Sequence, residues 1–212
     1  MFPKKCWDKT IFIPNGINID KYRFNLSDRN TIRKKYRLES KKVIGNVGAL
    51  IEQKNHEFLL KVFQKAHKED RNLHLVLIGE GDCAEKINEK IKELGIEESV
   101  LMLGQTNEVS KWLSAFDIFA MPSIFEGLPV SVVEAQVSGL VCILSDKITK
   151  EVCVTDKVYY FNISDEEIWS KQFISLNADI NLRVYVDKEL GIFDESKSVK
   201  KVENVILSCK KT

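Results

Sequence analysis

The chain has 212 residues, 44% of them hydrophobic and 30% charged, with a formal net charge of +1. Such a length can bury one substantial core, or one domain plus an extension, and the near-neutral charge gives nucleic-acid binding no electrostatic support. No apolar run approaches the roughly 20 residues needed to span a bilayer. Met1-Phe2-Pro3-Lys4-Lys5-Cys6 lacks the apolar stretch of a signal peptide, so the sequence predicts a cytoplasmic protein with no membrane span. Cys6, Cys83, Cys142, Cys153 and Cys209 are scattered and odd in number, without a C-x-x-C pair. That argues for a reducing compartment and against structural zinc. His56, His67 and His74 share no ligand spacing with the cysteines and read as surface or helix-face histidines.

Residues 1–12 have no obvious partner strand and are expected to be a linker or N-terminal extension. Arg23 to Glu39 is charged and predicts a helix from Asp28 to Tyr36. Lys42 to Gly48 reads as a first strand ending in a glycine turn, and Asn55 to Lys68 carries Phe58, Leu59, Val62, Phe63 and Ala66 at helical spacing. Leu73 to Gly79 is a near-continuous apolar run, which suits a parallel strand covered on both faces. A helix follows from Ala84 to Leu94, stopped by Gly95. Then come a strand at Val100–Gly104, a short helix at Val109–Ala115 and a strand at Asp117–Met121. Leu140 to Leu144 is a further strand, Val152 to Phe161 suggests short strands, and Asp165 to Leu176 an amphipathic helix with Ile168, Trp169 and Phe173. Asn181 to Leu190 and Ser196 to Leu207 read as terminal helices. The repeated strand–helix order predicts right-handed crossovers and an α/β fold with a doubly wound, mostly parallel Rossmann-like sheet and helices on both faces. Ligands of such sheets bind beyond the carboxyl ends of the strands.

Between two of these elements lies Phe125-Glu126-Gly127-Leu128-Pro129-Val130-Ser131-Val132-Val133-Glu134. Pro129 suits the first helical position, where its missing N–H costs nothing. The amides around Gly127 and Leu128 would then face outward at a helix N-terminus, a ready site for phosphate. Val130, Val133 and Val137 share one helical face and Glu134 borders it. A carboxylate there is costly unless something hydrogen-bonds to it, as a ligand's hydroxyl pair would. Any one of these acids, taken alone, reads as an ordinary surface residue around a helix cap.

The ordered string resembles the family 4 (group 1) retaining glycosyltransferases of the GT-B fold, whose mark is Glu-x7-Glu. Within them it is most similar to bacterial exopolysaccharide and capsule enzymes. The likeness runs from Ile13-Pro14-Asn15-Gly16 to about Val154 and covers the C-terminal half of such an enzyme. It implies a nucleotide-sugar-binding Rossmann-like domain over 13–175 and a C-terminal helical extension over 176–212. In Val47-Gly48-Ala49-Leu50-Ile51-Glu52-Gln53-Lys54-Asn55-His56, Lys54 matches a lysine that grips the nucleotide diphosphate, whereas Ala49 stands where the family has an arginine. A methyl group cannot replace a bidentate guanidinium–phosphate pair. Gly79-Glu80-Gly81 lacks the third glycine of a dinucleotide fingerprint and reads as structure beside the pocket.

The resemblance implies that Glu134 holds the ribose hydroxyls, that Glu126 positions the donor sugar, and that the base rests near Gln105 and Thr106. Gly127, Leu128 and Lys54 would stabilise the departing diphosphate. No metal is then expected, and no cofactor beyond the donor substrate, a UDP-sugar. The acceptor would be a saccharide or a lipid-linked one held by an N-terminal domain, at the inner membrane face, so the isolated chain is expected to bind donor but transfer poorly. The alternatives are a catalytically incomplete nucleotide-binding module and an interaction domain reusing the fold.

Overall fold

The computed structural model describes residues 15–176, Ile180, Arg183 and 193–209. Residues 1–14, with the expected linker, lie outside the described residues, as does the helix expected over 181–190, Arg183 apart. Six strands, β1 (Lys42–Val47), β2 (Leu73–Ile78), β3 (Val100–Gly104), β4 (Ile118–Met121), β5 (Val141–Ser145) and β6 (Val158–Phe161), form one sheet in the order β3-β2-β1-β4-β5-β6. Every pairing is parallel. The order reverses between β1 and β4, which puts the crevice of a doubly wound sheet at their carboxyl ends.

Strand residues alternate between two cores, as the pleat requires. Val43, Val76, Phe119 and Cys142 point to one, shared with Ile32, Trp112 and Val133. Ile44, Leu75, Ile118 and Ile143 point to the other, shared with Leu59, Phe63, Ile87 and Trp169. Helices α1 (Ile19–Tyr22), α2 (Leu26–Lys35), α5 (Val109–Ala115) and α6 (Val130–Val137) cover the first face. Helices α3 (His56–Glu69), α4 (Ala84–Glu93) and α7 (Glu166–Ser175) cover the second, and α8 (Glu195–Cys209) ends the described chain. Among the described residues no helix is long and apolar enough to cross a membrane.

Four local expectations are corrected. Helix α2 begins at Leu26 rather than Asp28, because Asn25 caps it by accepting the Asp28 amide at 3.0 Å. Ile168 is 40% exposed: Trp169 and Phe173, one turn apart, already fill the buried face of α7. Within Val152–Phe161 only β6 is a strand. Before it the Gln136 side chain takes the place of a ladder, accepting from Val154 N at 2.8 Å and donating to Val152 O at 2.8 Å. Pro129 is the cap of α6 rather than its first helical residue, with extended ψ of 106°.

A buried charge cluster joins α2 to the sheet. Asp117, immediately before β4, meets Arg29 at 2.5 Å and Arg33 at 3.0 Å, and its Oδ2 accepts the Val43 amide at 2.7 Å. The two guanidinium groups also donate to the carbonyls of Ser114, Ala115 and Phe116 at the end of α5. This cluster locks the start of β1 and β4 together.

Candidate functional site

Both segments singled out in the sequence leave the sheet at the reversal point. After β1 the chain runs through Gly48 and Ala49 into a 3-10 turn, Glu52–Lys54, and Asn55 then turns left-handed (φ 56°) to open α3. Lys54 therefore ends a turn of its own, two residues before α3 begins. After β4 the chain passes Pro122 to Leu128 and enters α6 at Val130. Lys54 Nζ and Glu126 Oε1 meet between the two loops at 2.7 Å, with side chains only 14% and 9% exposed.

Further bonds tie the loops on either side of that pair. Ile124 N donates to Gln53 O at 2.8 Å, Gln53 Nε2 to Phe125 O at 2.9 Å, and Asn55 Nδ2 to Pro122 O at 3.2 Å. Beneath them His56, expected at a surface or on a helix face, is on a helix but only 3% exposed, its Nε2 3.1 Å from Asn46 Oδ1. Asn46 in turn donates Nδ2 to Ala120 O at 2.8 Å, so its oxygen faces the imidazole, and Nε2 is the protonated nitrogen. His56 Nδ1 and the buried Ser123 Oγ have no partner within the described residues. Orphaned polar atoms of this kind are uncommon; two more, His74 Nδ1 and Ser138 Oγ, stand on β2 and at the end of α6.

Burial first, and then the Lys54 charge, lowers the His56 pKa from 6.5 to about 4. The unfolded chain protonates this ring near 6.5, so its stabilising contribution is complete above that pH and is lost as pH falls toward about 4. A His56→Gln variant is expected to lose less stability than the parent across that interval, as read by urea unfolding at the two ends.

Gly127 is exposed, its φ is not positive, and a Cβ built there meets nothing within 4 Å. Neither the backbone nor the packing of this chain explains the glycine, which leaves the space over the loop open. Because α6 starts at Val130, Gly127 and Leu128 lie just before its cap rather than among its first free amides. An isolated parallel bridge from Glu126 to Ile148 fixes this loop to the segment after β5.

Glu134 lies one turn into α6 beyond Val130, on the same face. Its carboxylate is half-buried and accepts the Tyr22 hydroxyl from α1. Burial raises its pKa, against the Tyr22 hydrogen bond and the Lys21 charge, which lower it. The sequence suggested a ligand's hydroxyls for this acid, and α1 already supplies one. Gln105 is exposed at the carboxyl end of β3, and Thr106 Oγ1 accepts the Glu108 amide at 3.1 Å. They share the edge of the sheet with Lys54 but stand on the far side of β2 from it.

Gly79 has its structural role: with φ +145°, a Cβ there would fall 1.9 Å from Gly48 O, so this turn packs directly against the loop that leads to Lys54. Ala49 is exposed beside it. A cleft of about 500 Å³ runs alongside, between α3 and α4, past Ile51, His56, Ile87 and Ile124. Its walls carry the ion pairs Lys86–Glu52 and Lys61–Glu57, and neither Glu126, Gly127 nor Glu134 lines it. It borders the Lys54–Glu126 loops without containing them. Sequence reasoning missed Tyr22, Asn46 and His56. A signal existed for Asn46 alone, a lone amide in an apolar strand.

The profile of glycosyl transferases group 1 matches residues 28–189. The chain belongs to this family. It is 37% identical over 148 residues to the glycosyltransferase EpsF of Bacillus subtilis (strain 168), a match covering 68% of this chain and 38% of that protein. It is 29% identical over 196 residues to the UDP-Gal:alpha-D-GlcNAc-diphosphoundecaprenol alpha-1,3-galactosyltransferase of Escherichia coli, covering 89% and 48%. Anabaena HepE, crystallised with UDP and glucose, superposes with a TM-score of 0.81 at 18% identity, over 95% of this chain and 57% of that one. The C-terminal domain of the group 1 protein LpcC from Francisella tularensis gives 0.68 at 20% identity, over 84% and 96%. The chain thus spans less than half the length of either sequence relative. The group 1 chain shares with these structures the parallel α/β sheet of a GT-B half.

Proposed function

We propose that this chain is the donor-binding part of a retaining glycosyltransferase, transferring a sugar from a UDP-sugar to a saccharide or lipid-linked acceptor when joined to an acceptor-binding N-terminal domain. The observation that carries it is the meeting of Lys54 and Glu126 at 2.7 Å, from two loops at the reversal point of the sheet. That crevice is where doubly wound sheets bind nucleotides. The open space over Gly127 admits a phosphate group close to the backbone. The UDP bound in HepE and the UDP-galactose in the Escherichia coli relative's name point to the same donor class. The diphosphoundecaprenol in that name motivates a lipid-linked acceptor.

Breaking the anomeric C–O bond leaves charge on a diphosphate. Lys54 and the backbone at Gly127 and Leu128 would meet that charge where it develops, without reorganising. Glu126 would hold the sugar's hydroxyls, and Glu134 the ribose, with Tyr22 keeping its carboxylate oriented. Gln105 and Thr106 would flank the base. No step in this scheme requires a metal.

Ala49 favours a second reading, a nucleotide-binding module without turnover, because a missing charged hydrogen bond lowers affinity by about ten- to a hundredfold. Calorimetric titration of UDP, ADP and GDP tests the proposal. We expect UDP to bind and Glu134→Ala to weaken it by about tenfold or more, with the folding midpoint little changed. Binding of no nucleotide would leave an interaction domain. Adding an N-terminal domain from a related enzyme and assaying transfer separates enzyme from incomplete module.

A further inference from the structure

We infer that His56 and Asn46 are positioning residues that fix the base of the Lys54 loop relative to the end of β4, by tying β1 to β4 and to the start of α3. The inference rests on the donor-site reading above for its consequence, though not for its geometry. Asn46 is a 1% exposed amide in a strand whose interior is otherwise Val43, Ile44 and Gly45. From β1 it bonds in two directions: Nδ2 to Ala120 O, next to the last residue of β4, and Oδ1 to His56, the first residue of α3. Lys54 is two residues before His56, and Glu126 six residues after Ala120. The buried link therefore anchors the elements from which both loops leave, while the Gln53 and Asn55 bonds tie the loops to each other.

A loop that carries a phosphate-binding lysine loses backbone freedom when it is ordered. A phosphate site gains if that loss is already met in the folded loops rather than on binding. The Asn46–His56 link supplies this fixed base. A role in stability alone fits less well, because His56 leaves Nδ1 buried and unpartnered, where an apolar side chain would leave no such atom.

The test compares the parent chain with His56→Leu, which cannot donate to Asn46, and His56→Gln, whose Nε2 can. Hydrogen–deuterium exchange follows residues 48–55 and 122–128, with β2 and α4 as internal references, and calorimetry follows UDP. In His56→Leu we expect both loops to exchange about tenfold faster while β2 and α4 stay as in the parent. UDP affinity should fall by about tenfold, and His56→Gln should restore both readouts. Asn46→Ala should reproduce the His56→Leu pattern, and the double variant should add little to either single one. Unchanged exchange at 122–128 in His56→Leu, or faster exchange spread over the whole chain, would overturn the inference. If the parent binds no UDP but the loops loosen as described, the positioning link stands and the donor-site reading fails.

Discussion

Asp117→Asn is expected to cost about 3–5 kcal/mol of folding stability, although Asp117 stands far from any proposed ligand. The carboxylate is 5% exposed and takes up Arg29, Arg33 and the Val43 amide together. Asparagine keeps the shape and can still accept one hydrogen bond. It removes the only negative charge facing Arg29 and Arg33 within the described cluster. Burial already depresses the Arg29 pKa, and the Asp117 charge is what chiefly opposes it. Arg183 adds a third guanidinium against the Ser114 and Phe116 carbonyls and worsens the imbalance. Against a typical total of about 5–15 kcal/mol, such a loss removes a large part of the margin. Urea unfolding at neutral pH measures it. A loss below about 1 kcal/mol would mean that water reaches the guanidinium groups and the cluster is held mainly by its carbonyl contacts. Nucleotide binding by the folded fraction should be unaltered, which separates this cluster from the Lys54 loops.

The central strands were legible because they are covered on both faces and so read as apolar runs: the run from Leu73 marks β2 within one residue of its end. Helix α4 was equally plain, with Gly95 left-handed just past its end. What could not be read were partners distant in sequence. Arg29 and Arg33 look like any charged helical residues until Asp117, more than 80 positions later, is placed beneath them. Glu134 was found by its motif, yet nothing near it in sequence announces Tyr22. The same holds for His56, whose partner Asn46 comes from β1. The two acids and Lys54 were identifiable by their match to the family's motifs. That Lys54 and Glu126 would bond to each other was not, since the resemblance assigned each of them to a ligand.

That bond yields the prediction that most sharply tests the site. Glu126→Gln and Lys54→Met are expected to shift UDP affinity in opposite directions. In the unliganded chain the Lys54 ammonium is already neutralised by a carboxylate at 2.7 Å, with both groups mostly out of solvent and therefore poorly screened. An arriving diphosphate competes with Glu126 for the same cation. Glutamine removes the competing charge while preserving shape, so UDP should bind more tightly, by about three- to tenfold, a change of roughly 0.7–1.4 kcal/mol. Sugar transfer by the chain joined to an acceptor-binding N-terminal domain should fall all the same, because the carboxylate proposed to orient the donor sugar is gone. Methionine at Lys54 keeps the apolar stem and removes the cation, so UDP affinity should drop by about ten- to a hundredfold. It also strands Glu126, 9% exposed, without a counter-charge, and the loop should lose stability as well as affinity. Calorimetry on the two variants decides the matter with one ligand. If Glu126→Gln weakens UDP as Lys54→Met does, the carboxylate is part of the phosphate-binding surface, and the ion pair persists in the complex instead of opening to admit the nucleotide.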